Sequence, residues 1–144
     1  MKTSNAGIEK LMKREGLRTK AYRDTKGIWT IGVGDTDVNN DGVRDVYKGM
    51  EMSVGQAMAG LKADLSDTEL FLDTHVFVPL TQNQFDALVS FVFNVGMTAF
   101  KNSTMRKKIN LRDFKGAAKE FDRWHIPPEI IGRRDGEKAQ FSAP

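Results

Sequence analysis

The stretch Arg14–Thr36, REGLRTKAYRDTKGIWTIGVGDT, decides how this chain of 144 residues is read. It crowds Glu15, Asp24 and Thr30 among glycines, aromatics and turn residues, while the sequence on either side keeps amphipathic helical spacing. Just before it, Ile8, Leu11, Met12 and Glu15 share one face of a helix running from about Asn5, and Gly16 supplies the stop. Glu15 therefore falls in the last turn of that helix. From Leu17 to Tyr47 the pattern changes to short runs of Tyr, Trp, Ile and Val broken by Asp24-Thr25-Lys26-Gly27, which predicts two or three short antiparallel strands.

Helical signals then take over. Ser53 and Gln56 form a capping box, and Met58, Leu61, Leu65 and Leu72 mark one face of a helix expected to reach about Thr74. Thr81 and Gln84 form a second box before FDALVSFVFNVG, which is apolar on almost every side and reads as a central buried helix. Asn110 with Asp113 predicts a further helix through Phe121 to Trp124, and a last basic helix is expected from about Glu129 to Phe141. The fold class is thus α+β, mainly α, in one domain over 1–144.

Composition narrows the function. With 40% hydrophobic and 28% charged residues the chain is ordinary globular material. It contains no cysteine, which excludes disulfides, thiol nucleophiles and thiolate metal sites. No run is long enough to span a membrane, and MKTSNAGIEKLMKREG has a basic start without an apolar core, so neither a secretory signal nor stable membrane association is expected. A net charge of +3 biases the surface toward acidic polymers. The basic runs at Met105–Lys108 and Arg133-Arg134 read as solvated helix faces, and no nucleic-acid partner is expected.

Candidate chemistries fall away one by one. His75 and His125 are far apart in the chain and in no zinc-ligand pattern, and the Gly-x-Ser-x-Gly elbow, the phosphate-binding loop and the dinucleotide fingerprint are absent. The carboxylates remain. Glycoside hydrolysis needs an acid to protonate the leaving oxygen and a second polar group on the opposite face of the sugar. A glutamate at a helix end against a sheet is partly desolvated, which favours its protonated form, whereas an aspartate in a turn stays ionised. Thr30, on the strand after the turn, offers a hydroxyl to a water beside Asp24. Spacing alone leaves open the alternative of a helix-end Glu, a turn Asp and a strand Thr without catalytic roles.

Eight residues between Glu15 and Asp24 and five more before Thr30 resemble the Glu-Asp-Thr triad of the phage-type lysozymes, glycoside hydrolase family 24. The resemblance continues through AYRDTKGIWTIGVG, NQFDALVSFVFNVG with AFKNST, and Trp124, Ile130-Ile131, Arg133-Arg134 and Glu137. It implies a lysozyme-like two-lobed fold: a helix and small antiparallel sheet in an N-terminal lobe to about residue 52, a connecting helix over 53–76, and a helical C-terminal lobe over 77–144, with a cleft between lobes. It also implies hydrolysis of the β-1,4 bond between N-acetylmuramic acid and N-acetylglucosamine in peptidoglycan. Glu15 would be the general acid, with Asp24 and Thr30 positioning the water. Thr36 and Phe100 would line the cleft, with packing as the alternative for each.

Two departures from the family stand out. Asp35 occupies the place where the family usually has histidine after Gly-x-Gly, and a second anion near Asp24 would disfavour ionisation of both. Next, Asp37, Asn39, Asp41, Val43 and Asp45 fall at the alternate positions of a calcium loop, with Gly42 at its sharp turn. The final bidentate acid is missing, since Lys48 stands there, and the other reading is a polar Asn-Asp-Gly turn. No cofactor is required by the implied reaction; structural calcium is the one candidate.

The resulting expectation is an endolysin-like monomer made in a host cytoplasm, released onto the glycan strands of the wall through a holin-type pore. The alternatives are a catalytically silent peptidoglycan binder, a lytic transglycosylase, and a toxin delivered to rival cells.

Overall fold

A computed structural model describes residues 1–39 and 41–144. The chain divides into two units, one formed by Ile8–Asp64 and the other by Met1–Gly7 together with Leu65–Pro144.

The first unit holds most of helix α1 (Asn5–Glu15), strands β1 (Arg18–Arg23) and β2 (Trp29–Gly32), and helix α2 (Val54–Asp64). Helix α1 ends because Gly16 adopts φ +78° and returns its N–H to the Met12 carbonyl. The strands pair antiparallel, with Tyr22 opposite Thr30 and Arg23 opposite Trp29. Arg23 and Arg18 lay their guanidinium groups over the rings of Trp29 and Tyr22. Instead of a third strand, two isolated bridges complete the region, Lys20 with Glu51 and Ile31 with Asp35. The cause is local: the positive-φ glycines Gly32 and Gly34 turn the chain back so tightly that Ile31 and Asp35 exchange both backbone hydrogen bonds and no ladder extends beyond them. Helix α2 opens with the expected capping box, Gln56 N–H on Ser53 Oγ and Ser53 N–H on Gln56 Oε1.

The expected connecting helix is two helices, α2 and α3 (Ser66–His75), separated at Leu65. Leu65 keeps helical dihedrals (φ −79°, ψ −11°) and is fully buried, so the interruption is a single residue.

In the second unit, α4 (Gln82–Val95) is central, and every residue from Phe85 to Val92 is buried. The Thr81–Gln84 capping box starts it. Helices α5 (Met97–Lys101) and α6 (Thr104–Asn110) follow, then α7 (Phe114–Glu120), a 3-10 turn over Phe121–Arg123, a second over Pro128–Ile130, and α8 (Ile131–Ser142). Asn110 ends α6 rather than opening α7, whose cap is Asp113 accepting from Gly116 N–H. The Asn110 side chain is used elsewhere, accepting from Phe77 N–H and donating to the His75 carbonyl.

Helix α8 docks on α4 through charge as well as apolar contact. Arg134 and Glu137 are both wholly buried and ion-paired. Glu137 also accepts from Ser90 Oγ at 2.5 Å and Arg133 Nε at 3.2 Å, while Arg134 donates to the Trp124 carbonyl and to Asn94. Its guanidinium also lies 4.9 Å from the centre of the Phe91 ring. A counter-ion, two further polar partners and an aromatic face thus compensate a charge that burial alone would strongly disfavour. The Arg133-Arg134 run is therefore not a solvated helix face.

Candidate active site

Each expected catalytic residue is held by a backbone feature of the Ile8–Asp64 unit. Glu15 is the last residue of α1, half-buried. Asp24 opens the turn between the strands: Gly27, at φ +79°, donates to the Asp24 carbonyl, and Asp24 Oδ1 accepts from Lys26 N–H at 2.8 Å and Ile28 N–H at 2.9 Å. The carboxylate is thereby fixed in orientation by two backbone donors, with Oδ2 making no hydrogen bond among the described residues. Thr30 is 3% exposed, and its hydroxyl donates to the Ile28 carbonyl at 2.9 Å. Having spent its proton there, the Thr30 oxygen can only accept from a further partner. The same Ile28 carbonyl takes the Asp24 N–H, which ties the aspartate and threonine into one hairpin. The Asp24 carboxylate and the Thr30 hydroxyl are thus anchored to the same turn.

The two expected cleft residues have different settings. Phe100, on α5, is fully buried, edge-on to Phe71 and Phe91 at ring separations of 6.2 and 6.3 Å. That is a packing role, and its apolar side chain has no surface to offer a sugar in this conformation. Thr36 is partly exposed, and its carbonyl accepts from Asp45 N–H.

In the loop after the sheet the acidic side chains turn onto the loop's own backbone. Asp45 accepts from Val38 and Asn39 N–H, Asp37 from Asp41 and Gly42 N–H, and Asp41 from Val43 N–H. Asp41 with Val43 is an Asx turn, and the other bonds close the loop over four to seven residues. Asp35 has its carboxyl pushed up to about 6, first by burial and then by the negative charges of Asp64, Asp37 and Asp45. Asp64 is itself shifted upward by burial. The anions that oppose Asp35 thus come from this loop and from the end of α2; Asp24, the neighbour expected from sequence, is not among them.

The family profile described as phage lysozyme matches residues 12–137, which include Glu15, Asp24 and Thr30. The chain belongs to the phage lysozyme family. Members resembling it over their whole length include the endolysin of Acyrthosiphon pisum secondary endosymbiont phage 1, 42% identical with 99% of each chain covered. The endolysin of Salmonella phage P22 is 41% identical, with 98% of each covered. Among solved structures, a P22 lysozyme mutant superposes with a TM-score of 0.89 at 40% identity over 99% of both chains. The muramidase domain of SpmX from Asticaccaulis excentricus superposes at 0.82 with 36% identity, again over 99% of both. This family member is accordingly a glycoside hydrolase, a lysozyme serving host cell lysis, with the mainly helical lysozyme fold and one small antiparallel sheet. No helix among its described residues is long and apolar enough to cross a membrane.

Sequence reasoning missed the buried pair Arg134–Glu137 as a structural centre, although it had singled both out as family residues. Their i, i+3 spacing on a helix was the available signal.

Proposed function

We propose that Glu15 donates the proton to the glycosidic oxygen of peptidoglycan while Asp24 and Thr30 hold the attacking water. The observation that carries this reading is the shared Ile28 carbonyl, which fixes the Thr30 hydroxyl and the Asp24 backbone to one atom. In the reaction Asp24 Oδ2 accepts one water proton and Thr30 Oγ1 the other, so the water's lone pair is aimed at the anomeric carbon. Protonation by Glu15 lets the leaving sugar depart as an alcohol, and the water proton ends on Asp24. Such single displacement inverts the anomeric configuration. Direct attack by Asp24 would retain it, at the cost of an orientation that two backbone donors already hold.

The same reading makes the protein a monomer stored in the host cytoplasm and dependent on a holin-type pore to reach the wall. Its excess of basic residues supplies attraction to the acidic polymer. In the 37–45 loop a calcium ion would compete with five backbone N–H groups for its oxygens, which favours the turn reading.

The test is lysis of outer-membrane-permeabilised Gram-negative cells by wild type and Glu15→Gln, with fragments weighed. Clearing by wild type alone, with reducing-end muropeptides and an inverted first-formed anomer by NMR, supports the assignment. Anhydro ends would favour a transglycosylase, and two folded but inactive proteins would favour a binder.

A further inference from the structure

Among the described residues one set of three metal-ligating side chains converges, and it belongs to none of the machinery above: Asp122, His125 and Asp135, each offering an atom within 4.8 Å of the others. Asp122 sits in the 3-10 turn after α7, His125 in the segment before Pro127, and Asp135 on α8. The geometry points to a binding site for a divalent transition cation of the zinc type, held by the His125 imidazole and one oxygen from each aspartate.

The decisive atom is His125 Nε2. It is buried and makes no hydrogen bond. Its carboxylate neighbours stand in ion-pair range without meeting hydrogen-bond geometry, and native proteins seldom leave a buried polar atom with no hydrogen bond. It lies 3.3 Å from Asp135 Oδ1 and 3.9 Å from Asp122 Oδ1. Zinc bonds of about 2.1 Å spread at a tetrahedral angle separate donor atoms by about 3.4 Å. These two separations lie on either side of that value and all three donor atoms fall within 4.8 Å of one another, so an ion among them would give Nε2 a bond. An imidazole donor favours zinc, cobalt or nickel over magnesium or calcium, which take oxygen. Lys138 is bonded to the cluster, 2.9 Å from Asp122 Oδ2 and 3.2 Å from Oδ1. With the ion on Oδ1, Lys138 keeps Oδ2. Three protein ligands on a partly exposed site leave a coordination position for water, which makes the ion exchangeable. Bound, it would cross-link the turn after α7 and the segment before Pro127 to α8.

The experiment uses the full chain stripped with EDTA and titrated with zinc chloride in a calorimeter, with magnesium as the hard-cation control. One zinc per chain is expected, with a raised Tm, no magnesium heat, and binding at least tenfold weaker in His125→Gln and in Asp135→Asn. With only two histidines in the chain, NMR on the wild type gives a readout that needs no variant: cobalt should broaden the His125 ring signals and spare those of His75. Absence of zinc heat, undiminished affinity in both variants, or broadening at His75 instead would overturn the assignment.

Discussion

Thr30 and Asp24 meet at a single atom: the Ile28 carbonyl accepts the Thr30 hydroxyl and the Asp24 backbone N–H, each at 2.9 Å. Replacing Thr30 therefore separates chemistry from folding. Thr30→Val leaves Ile28 still bonded to Asp24, so stability should fall by only about 1 kcal/mol. Lysis should fall by about 100-fold or more, with most of it restored in Thr30→Ser. Thermal unfolding and turbidity clearing measured side by side check both. A variant as active as wild type would remove Thr30 from the water site.

Asp24→Asn retains an oxygen for the Lys26 and Ile28 N–H groups, so the hairpin should survive. What disappears is the carboxylate to which the proposed mechanism delivers the water proton. Activity is expected to drop by about 100-fold to 10,000-fold, while hairpin amide exchange stays close to wild type. Loss of amide protection in the turn would instead mean the substitution acts through the fold.

Asp35 sets a pH dependence whose sign is opposite to that of a paired carboxylate. Its carboxyl titrates at about 6 in the folded chain against 3.8 in the unfolded reference. Between those values the native state keeps a proton that the unfolded state has lost, so stability declines as pH rises through that window and is level above it. Asp35→Asn should stabilise the protein by about 1 kcal/mol at about pH 7.5, allowing for solvent screening of a half-exposed group, and by almost nothing at about pH 4. Urea unfolding at both pH values decides it; equal gains would refute the electrostatic cause. Asp35→His, which restores the family residue, should add attraction to Asp64, Asp37 and Asp45 at acidic pH and keep the enzyme active.

Glu137 carries the largest expected stability effect. Glu137→Gln leaves the wholly buried Arg134 charge without its counter-ion, which should destabilise by about 3 to 5 kcal/mol. Chemical denaturation measures this, and a loss below about 1 kcal/mol would show that Asn94 and the Trp124 carbonyl suffice for Arg134.

Calorimetry of calcium binding before and after Asp41→Ala tests the 37–45 loop. Because its carboxylates already accept backbone N–H groups, no calcium heat and no change in Tm are expected. Heat abolished by Asp41→Ala would establish the site.

Features that depend on neighbours a few residues apart were legible in the sequence. The Ser53–Gln56 and Thr81–Gln84 boxes, the stop at Gly16 and the Asp24–Gly27 turn all formed as their spacing implied. The triad was legible through family resemblance, since Glu15, Asp24 and Thr30 as residue types are equally at home in a cap, a turn and a strand. Features that depend on tertiary packing were not legible. Asn110 looked like a cap because its amide suits one, yet distant backbone groups of Phe77 and His75 hold it. His125 matched no ligand spacing because Asp135 reaches it only when α8 folds back. Short helices such as α5 give too little periodicity to decide between the two readings of Phe100, and its burial settles it as packing.

The inclusion of residues 1–7 in the unit built from residues 65–144 ties this segment to helices far along the chain. Thr3 donates to Glu69 and Ser4 to Asp86, contacts 66 and 82 residues apart in sequence. Loop closure over such separations is entropically expensive. The hold on residues 1–7 therefore depends on α3 and α4, and a change that unfolds either helix loosens them.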